Sequence, residues 1–169
     1  MNEKSVIKAL SENVLVFEKL LKNQEGVKVL WKPNENSWSL LEIVCHLVDE
    51  ECFDFRARIQ HLFNHPNIPP PPIDPQGWVT EKFYQKQDYQ TKVQEFFSER
   101  ENSLTWLNSL ENPAWKNSFQ HQHFGQMNAS LFLTNWLAHD YFHFRQIVKF
   151  NYLYLQAYSK HSLEYAGGF

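Results

Sequence analysis

Phe132, Trp136, His139, His143, Gln146, Phe150 and Leu153 recur at helical spacing, and this stripe constrains the fold more than any other feature of the chain. On an α-helix, residues three and four apart share a face, so the stripe reads as one inward surface. It carries two imidazoles and a carboxamide among aromatic rings. Buried polar groups are costly unless each has a partner. The fold must therefore bring another element, with partners of its own, onto this face. His139 and His143 lie at i,i+4 and project together, and neutral imidazole is a common ligand for divalent metals. The pair alone leaves three readings open: a metal site, two core histidines hydrogen-bonded to protein groups, or a wet surface pair. A third ligand elsewhere would decide between them.

The remainder of the chain reads as all-α. Glycine is scarce, five in 169 residues, and β-branched runs are absent. A first helix is expected from Glu3 to Lys22, with Val6, Leu10, Val14, Phe17 and Leu21 at helical spacing. A second begins at Ser39, where Ser39-Leu-Leu-Glu42 has the form of a capping box and Trp38 that of a hydrophobic staple. It runs to Phe63. A third spans Asp88 to Leu110 and is stopped by Asn112 and Pro113. The fourth starts at Asn128 and reaches Gln156. Between the second and third helices, His65 to Trp78 holds Pro66, Pro69 to Pro72 and Pro75. This density excludes a helix and predicts an extended, polyproline-like crossing rather than a recognition motif. Trp115 to Met127 reads as a polar, aromatic-bearing loop, and the residues after Gln156, through Phe169, as irregular. The expected architecture is an up-down-down-up four-helix bundle with a long proline-rich crossover between helices 2 and 3, forming one domain over residues 1–169.

Composition narrows the function classes. Aromatic residues make up 16% of the chain, which implies a Phe- and Trp-rich core and an aromatic-lined pocket. A net charge of −3 and the absence of any Lys/Arg run argue against a nucleic-acid surface. No apolar stretch is long enough to span a bilayer, and the N-terminal residues lack a signal-peptide core, so a cytoplasmic protein is expected. Cys45 and Cys52 lie seven residues apart, about 10 Å along a helix, too far for a mutual disulfide.

Bundles build metal sites from side chains on facing helices. His46, two turns into the second helix and flanked by Ile43 and Leu47, is the candidate third ligand. Together with His139 and His143 it would give a three-histidine site with open positions, as in catalytic rather than structural metal centres. Asp49 and Glu50, at i+3 and i+4 from His46, are candidate general bases or orienting groups. The ordinary alternatives are that Asp49 pairs with Arg100 and that Glu50 or Glu51 is solvated. Gln146 is expected to close a core polar network rather than bond a ligand, and Asp140 to serve the surface or another helix. His61, His65, His121, His123 and His161 read as loop or surface residues, with His123 the nearest to the bundle end.

The segment Trp38-Ser-Leu-Leu-Glu-Ile-Val-Cys-His-Leu-Val-Asp-Glu-Glu51 resembles the W-S-x-x-E-x-x-x-H-L-x-D-x-E helix of the DinB/YfiT-like metalloenzyme family. Phe97-Ser-Glu-Arg100, His123-Phe-Gly125 and His139-Asp-Tyr-Phe-His143-Phe-Arg-Gln146 are similar to the family's later marks, in the same order. The family's loop mark has a proline after its histidine. Gln122 stands there if His121 is the matching residue. The resemblance implies a four-helix bundle whose metal histidines fall on His46, His139 and His143. It also implies one of two activities on a small molecule: metal-assisted hydrolysis, or S-transfer from a low-molecular-weight thiol of the bacillithiol or mycothiol type. The ligand set suits Zn, Ni or Fe. The non-enzymatic alternative is a bundle with a structural or adventitious metal, acting as a homodimer or partner-binding module through an aromatic face of Phe142, Phe144, Tyr152 and Tyr154.

Overall fold

The computed structural model describes residues 1–168 and has seven α-helices and one β-hairpin. These are α1 (Glu3–Leu21), α2 (Val27–Leu30), α3 (Leu40–Phe53), α4 (Phe55–Asn64), α5 (Pro75–Glu81), α6 (Tyr89–Ser109), β1 (Ser118–His121), β2 (Gly125–Asn128) and α7 (Ala129–Tyr158). Short 3-10 turns cover Tyr84–Lys86 and Glu164–Ala166. Phe169, the last residue of the expected irregular tail, lies outside the described residues.

The bundle has four corners: α1, the α3–α4 pair, α6 and α7. Cross-helix contacts fix their directions. Tyr89 at the start of α6 bonds Leu21 at the end of α1, and Phe96 packs on Phe17, so α1 and α6 are antiparallel. The Cys45 thiol meets the Tyr84 carbonyl, and Arg56 meets Glu99 further along, so α3–α4 and α6 run the same way. Ser130 bonds Glu3 and Asp140 bonds Asn13, making α7 parallel to α1. This is the expected up-down-down-up order, with the crossover joining the two parallel neighbours.

The helix ends follow from their caps. Ser39 Oγ accepts from the Glu42 backbone N–H while the Glu42 carboxylate accepts from the Ser39 N–H, completing the capping box. Asn128 caps α7 through the Leu131 N–H, and Asp88 caps α6 through that of Thr91. Cys45 and Cys52 are free thiols.

Four expectations need correction. The second bundle helix is not continuous: Asp54, at φ −110° and ψ −96°, breaks it into α3 and α4. The proline-rich crossing is not wholly extended, because α5 begins within it; Asp74 caps the helix and Pro75 takes its first turn, where no N–H is needed. The expected loop over 115–127 instead holds most of the β1–β2 hairpin, which spans 118–128 with Ser118 opposite Asn128 and His121 opposite Gly125. Gly125, at φ 69°, supplies the left-handed conformation there. Finally, Glu50 and Glu51 are both buried. The crossover wraps the outer face of α3, so every residue from Leu40 to Glu51 is buried, as in a helix enclosed on all sides.

The core is apolar at both ends and polar in the middle. One cluster includes Phe17, Val48, Phe96 and Ile147, and the other Leu10, Phe55, Leu107 and Leu137. Between the two, every bundle helix contributes to a buried network built around Asn13, Glu51, Arg100 and Asp140. The Arg100 guanidinium donates to both Asp140 oxygens at 2.7 and 2.8 Å and to Glu51 at 2.8 Å. Asn13 donates to Asp140, while Ser103 and Trp136 donate to Glu51, each at 2.9 Å. Arg100 thus pairs with Glu51 and Asp140, not with the expected Asp49. Asp140 serves another helix, the second of its two anticipated roles, and is fully buried.

Candidate metal centre

Just beyond this network, α3 and α7 face each other antiparallel. His46 projects from α3, and His139 and His143 from consecutive turns of α7. Each offers one ligand nitrogen, and these three atoms lie within 4.8 Å of one another; among the described residues this is the one such group that could hold a metal. The Nε2 atoms of His139 and His143 are 3.0 Å apart. Ring-centroid separations are 5.1 Å for His46–His143 and 5.5 Å for His46–His139. Aromatic neighbours limit how the imidazoles turn: Trp38 against His46, Phe55 against His139 and Phe142 against His143. Trp38, expected as a helix staple, supports a site residue.

The donor set fits a divalent cation on two further observations. His46 Nδ1 is buried and finds no hydrogen-bond partner among the described residues. Such an orphan costs about 1–3 kcal/mol unless something meets it. Second, His143 Nδ1 lies 2.8 Å from Gln146 Oε1. With that oxygen accepting, the proton sits on Nδ1 and the Nε2 lone pair faces the cluster, the usual way a ligating histidine is oriented. Gln146 thus bonds a site histidine, the role judged less favoured from sequence.

Burial, first of all, pushes the three imidazoles down, His46 to about 3, His139 to about 2 and His143 to about 4. The neighbouring histidines add to the shift for His46 and His139. All three are neutral near pH 7 and available as ligands. A linkage prediction follows for the metal-free protein. The unfolded chain takes up protons at these histidines below about 6.5, and the native state does so only at lower pH. Their contribution to stability is complete above pH 6.5 and declines as the pH falls toward 4. The urea midpoint of the metal-free protein should drop across that window, and less so in His139→Asn. Equal slopes for the two proteins would contradict neutral, buried imidazoles.

Of the two candidate carboxylates, the structure brings only Glu50 to the cluster. Its Oε1 is 3.8 Å from His46 Nδ1 and its Oε2 4.0 Å from His139 Nε2. Burial raises its carboxyl to about 9, helped by the neighbouring Asp54. Asp49 instead accepts from Tyr84 at 2.5 Å and pairs with Lys82 at 2.9 Å, tying α3 to the crossover. Lys82 lies over the rings of Phe53 and Trp78, which reinforces that tie.

The cluster is open on one side. His139 retains 21% of its side-chain exposure, the most of the three. A cavity of about 470 Å³ reaches all three histidines and is bordered by Trp38, Gln76, Gln146 and Lys149. Phe142, not singled out as a site residue from sequence, forms part of its wall; its place three residues after His139 was the available signal. Phe144 and Tyr154, anticipated on a dimer face, are half-buried, with their rings against Phe17 and Trp31. His123 is exposed, and His121, rather than His123, turns toward the site side of the bundle end. No helix among the described residues is long and apolar enough to cross a membrane.

Comparison with known proteins gives two findings. The family model described as the DinB superfamily matches residues 9–147. The fold is similar to that of YfiT from Bacillus subtilis, described as a probable metal-dependent hydrolase with an unusual four-helix bundle topology. The two share 15% identity at a TM-score of 0.75, over 88% of this chain and 85% of that one. A sequence search of curated proteins returns no match.

Proposed function

The chain belongs to the DinB superfamily, and from that premise we propose that His46, His139 and His143 hold one divalent cation and that the protein is a metal-dependent hydrolase of a small molecule. The description of YfiT as a probable metal-dependent hydrolase supports this reading by analogy of fold. The observation that carries it is the convergence of three neutral imidazoles with one buried carboxylate beside a solvent-connected cavity. When bound, the cation supplies Lewis acidity, which polarises a carbonyl and eases deprotonation of water.

The protein's own groups do the rest. Three uncharged ligands leave the cation's charge uncompensated. That charge favours the ionised form of Glu50, which burial and the neighbouring Asp54 otherwise keep protonated. The Glu50 carboxylate is then placed to accept a proton from attacking water and return it to the leaving group. Gln146 holds the His143 ring, while Trp38 and Phe55 keep the other two imidazoles from rotating away.

The test is Glu50→Gln, a near-isosteric change that keeps the volume but removes the base. With a panel of small esters and amides, the metal-loaded variant should retain its cation and lose roughly 100-fold or more in kcat, the lower end for general base catalysis. Unchanged kcat would reject Glu50 as the base. Failure of the parent to hydrolyse any panel member, together with a thiol-induced change in the cobalt-loaded spectrum, would replace hydrolysis with thiol transfer at the same histidines.

A further inference from the structure

A second cavity, of about 700 Å³, shares His139 and Phe142 with the first but extends along α7 in the opposite direction. The first is bordered by residues C-terminal to His143, the second by residues N-terminal to His139. Their characters differ. The second is walled by Phe55, Phe119, Phe124, Met127, Leu131 and Phe132. Its two charged lining residues, Asp54 and Arg58, are paired with each other, and the Arg58 guanidinium lies over the Phe132 ring. The two charges offset each other, which favours a neutral ligand group. An apolar cavity of this size lies in the range of small-molecule sites.

Phe124 gives an independent indication. It sits in the hairpin turn with 74% of its surface exposed, although its ring borders the cavity. The turn is held in place, since the Phe124 and His123 N–H groups both donate to His121 Nδ1 and the Phe124 ring packs on that imidazole. Core packing does not account for a fixed, exposed phenyl group, whereas a ligand seated beneath it would cover it. Phe142, half exposed between the two cavities, supplies a second such ring.

We propose that this second cavity is the specificity pocket of the histidine site and takes a neutral aromatic group of the substrate. A short linker would then place the substrate carbonyl at His139, with its polar remainder in the first cavity beside Gln146 and Lys149. The position of the reacting bond rests on the metal reading above, whereas the occupant of the cavity rests on the cavity's own walls.

The probe is N-benzylacetamide, a phenyl ring one methylene from an unreactive amide, with N-methylacetamide as the ringless control. Binding is followed by ligand-observed NMR on the full chain, metal-free and cobalt-loaded. N-benzylacetamide should bind and N-methylacetamide should not. Leu131→Trp, which fills the cavity, should weaken binding at least tenfold; Phe124→Ala, an exposed position that leaves the fold intact, should weaken it roughly threefold. In cobalt-loaded protein the probe's signals should broaden, because the cavity abuts His139. Probe binding sensitive to both variants but without cobalt uptake would sustain the pocket while rejecting the metal site. No binding by the folded parent, or binding indifferent to Leu131→Trp and Phe124→Ala, overturns the proposal.

Discussion

His143→Ala should emerge from purification with less than about a tenth of a metal ion per chain, against about one for the parent, as measured by elemental analysis. His143 is the histidine with its other nitrogen already committed, to Gln146, so its Nε2 is aimed before any cation arrives. Loss of a group that merely orients a ligand lowers metal affinity by about 10–100-fold, and loss of the ligand itself should exceed that. His46→Ala should behave alike, because His46 is the one histidine that α3 brings to the set, and the two α7 histidines alone cannot complete it. Gln146→Leu should keep the metal and weaken it by about 10–100-fold. Far-UV circular dichroism must show all three variants still helical. Full metal retention by both alanine variants would remove the proposed centre altogether.

The second large effect is expected at Arg100. Arg100→Met should cost about 3–5 kcal/mol, the range for removing one partner of a buried ion pair. The substitution leaves the Glu51 and Asp140 carboxylates in the core without the guanidinium that occupies both. Methionine fills much of the volume, so the loss reads the electrostatics rather than a cavity. A domain has only about 5–15 kcal/mol in total, so the urea midpoint should fall sharply, if a transition survives at all. Adding Glu51→Gln and Asp140→Asn should recover part of the loss, since neutral groups are less costly to bury. A shift in midpoint no larger than that of an exposed substitution such as Lys8→Met would show that the network contributes little. Because Glu51 precedes α4 on the helix of His46 and Asp140 follows His139, the same variant should also loosen the cation.

Helices α1, α6 and α7 were legible in the sequence because each turns one face to the core and another to solvent. Their caps at Asn128 and Asp88 are local chemistry, readable without a partner. The break at Asp54 was not legible: no glycine or proline marks it. Helix α5 did leave a signal, an Asp-Pro start, but the surrounding prolines masked it. The hairpin is two four-residue strands, too short for alternation to register. At the site, the three histidines could be matched by spacing and facing helices. The roles of Glu50, Glu51 and Asp49 could not, since they depend on the crossover covering the outer face of α3. Spacing leaves Asp49 as one alternative partner for the Arg100 guanidinium, which Glu51 holds, because sequence cannot say which side of an enclosed helix meets α6.

The discontinuity at Asp54 divides labour along one corner of the bundle. Upstream, α3 carries His46, Glu50 and Glu51, all bound into contacts that a substitution would disturb. Downstream, α4 gives Phe55 and Arg58 to the wall of the second cavity. Since the two helices join at a bend rather than as one rod, a changed side chain on α4, other than Phe55 with its contact to His139, can be absorbed there without rotating His46. A chain built this way can be retuned for different substrates, by selection or by design, while its chemical centre stays as it is.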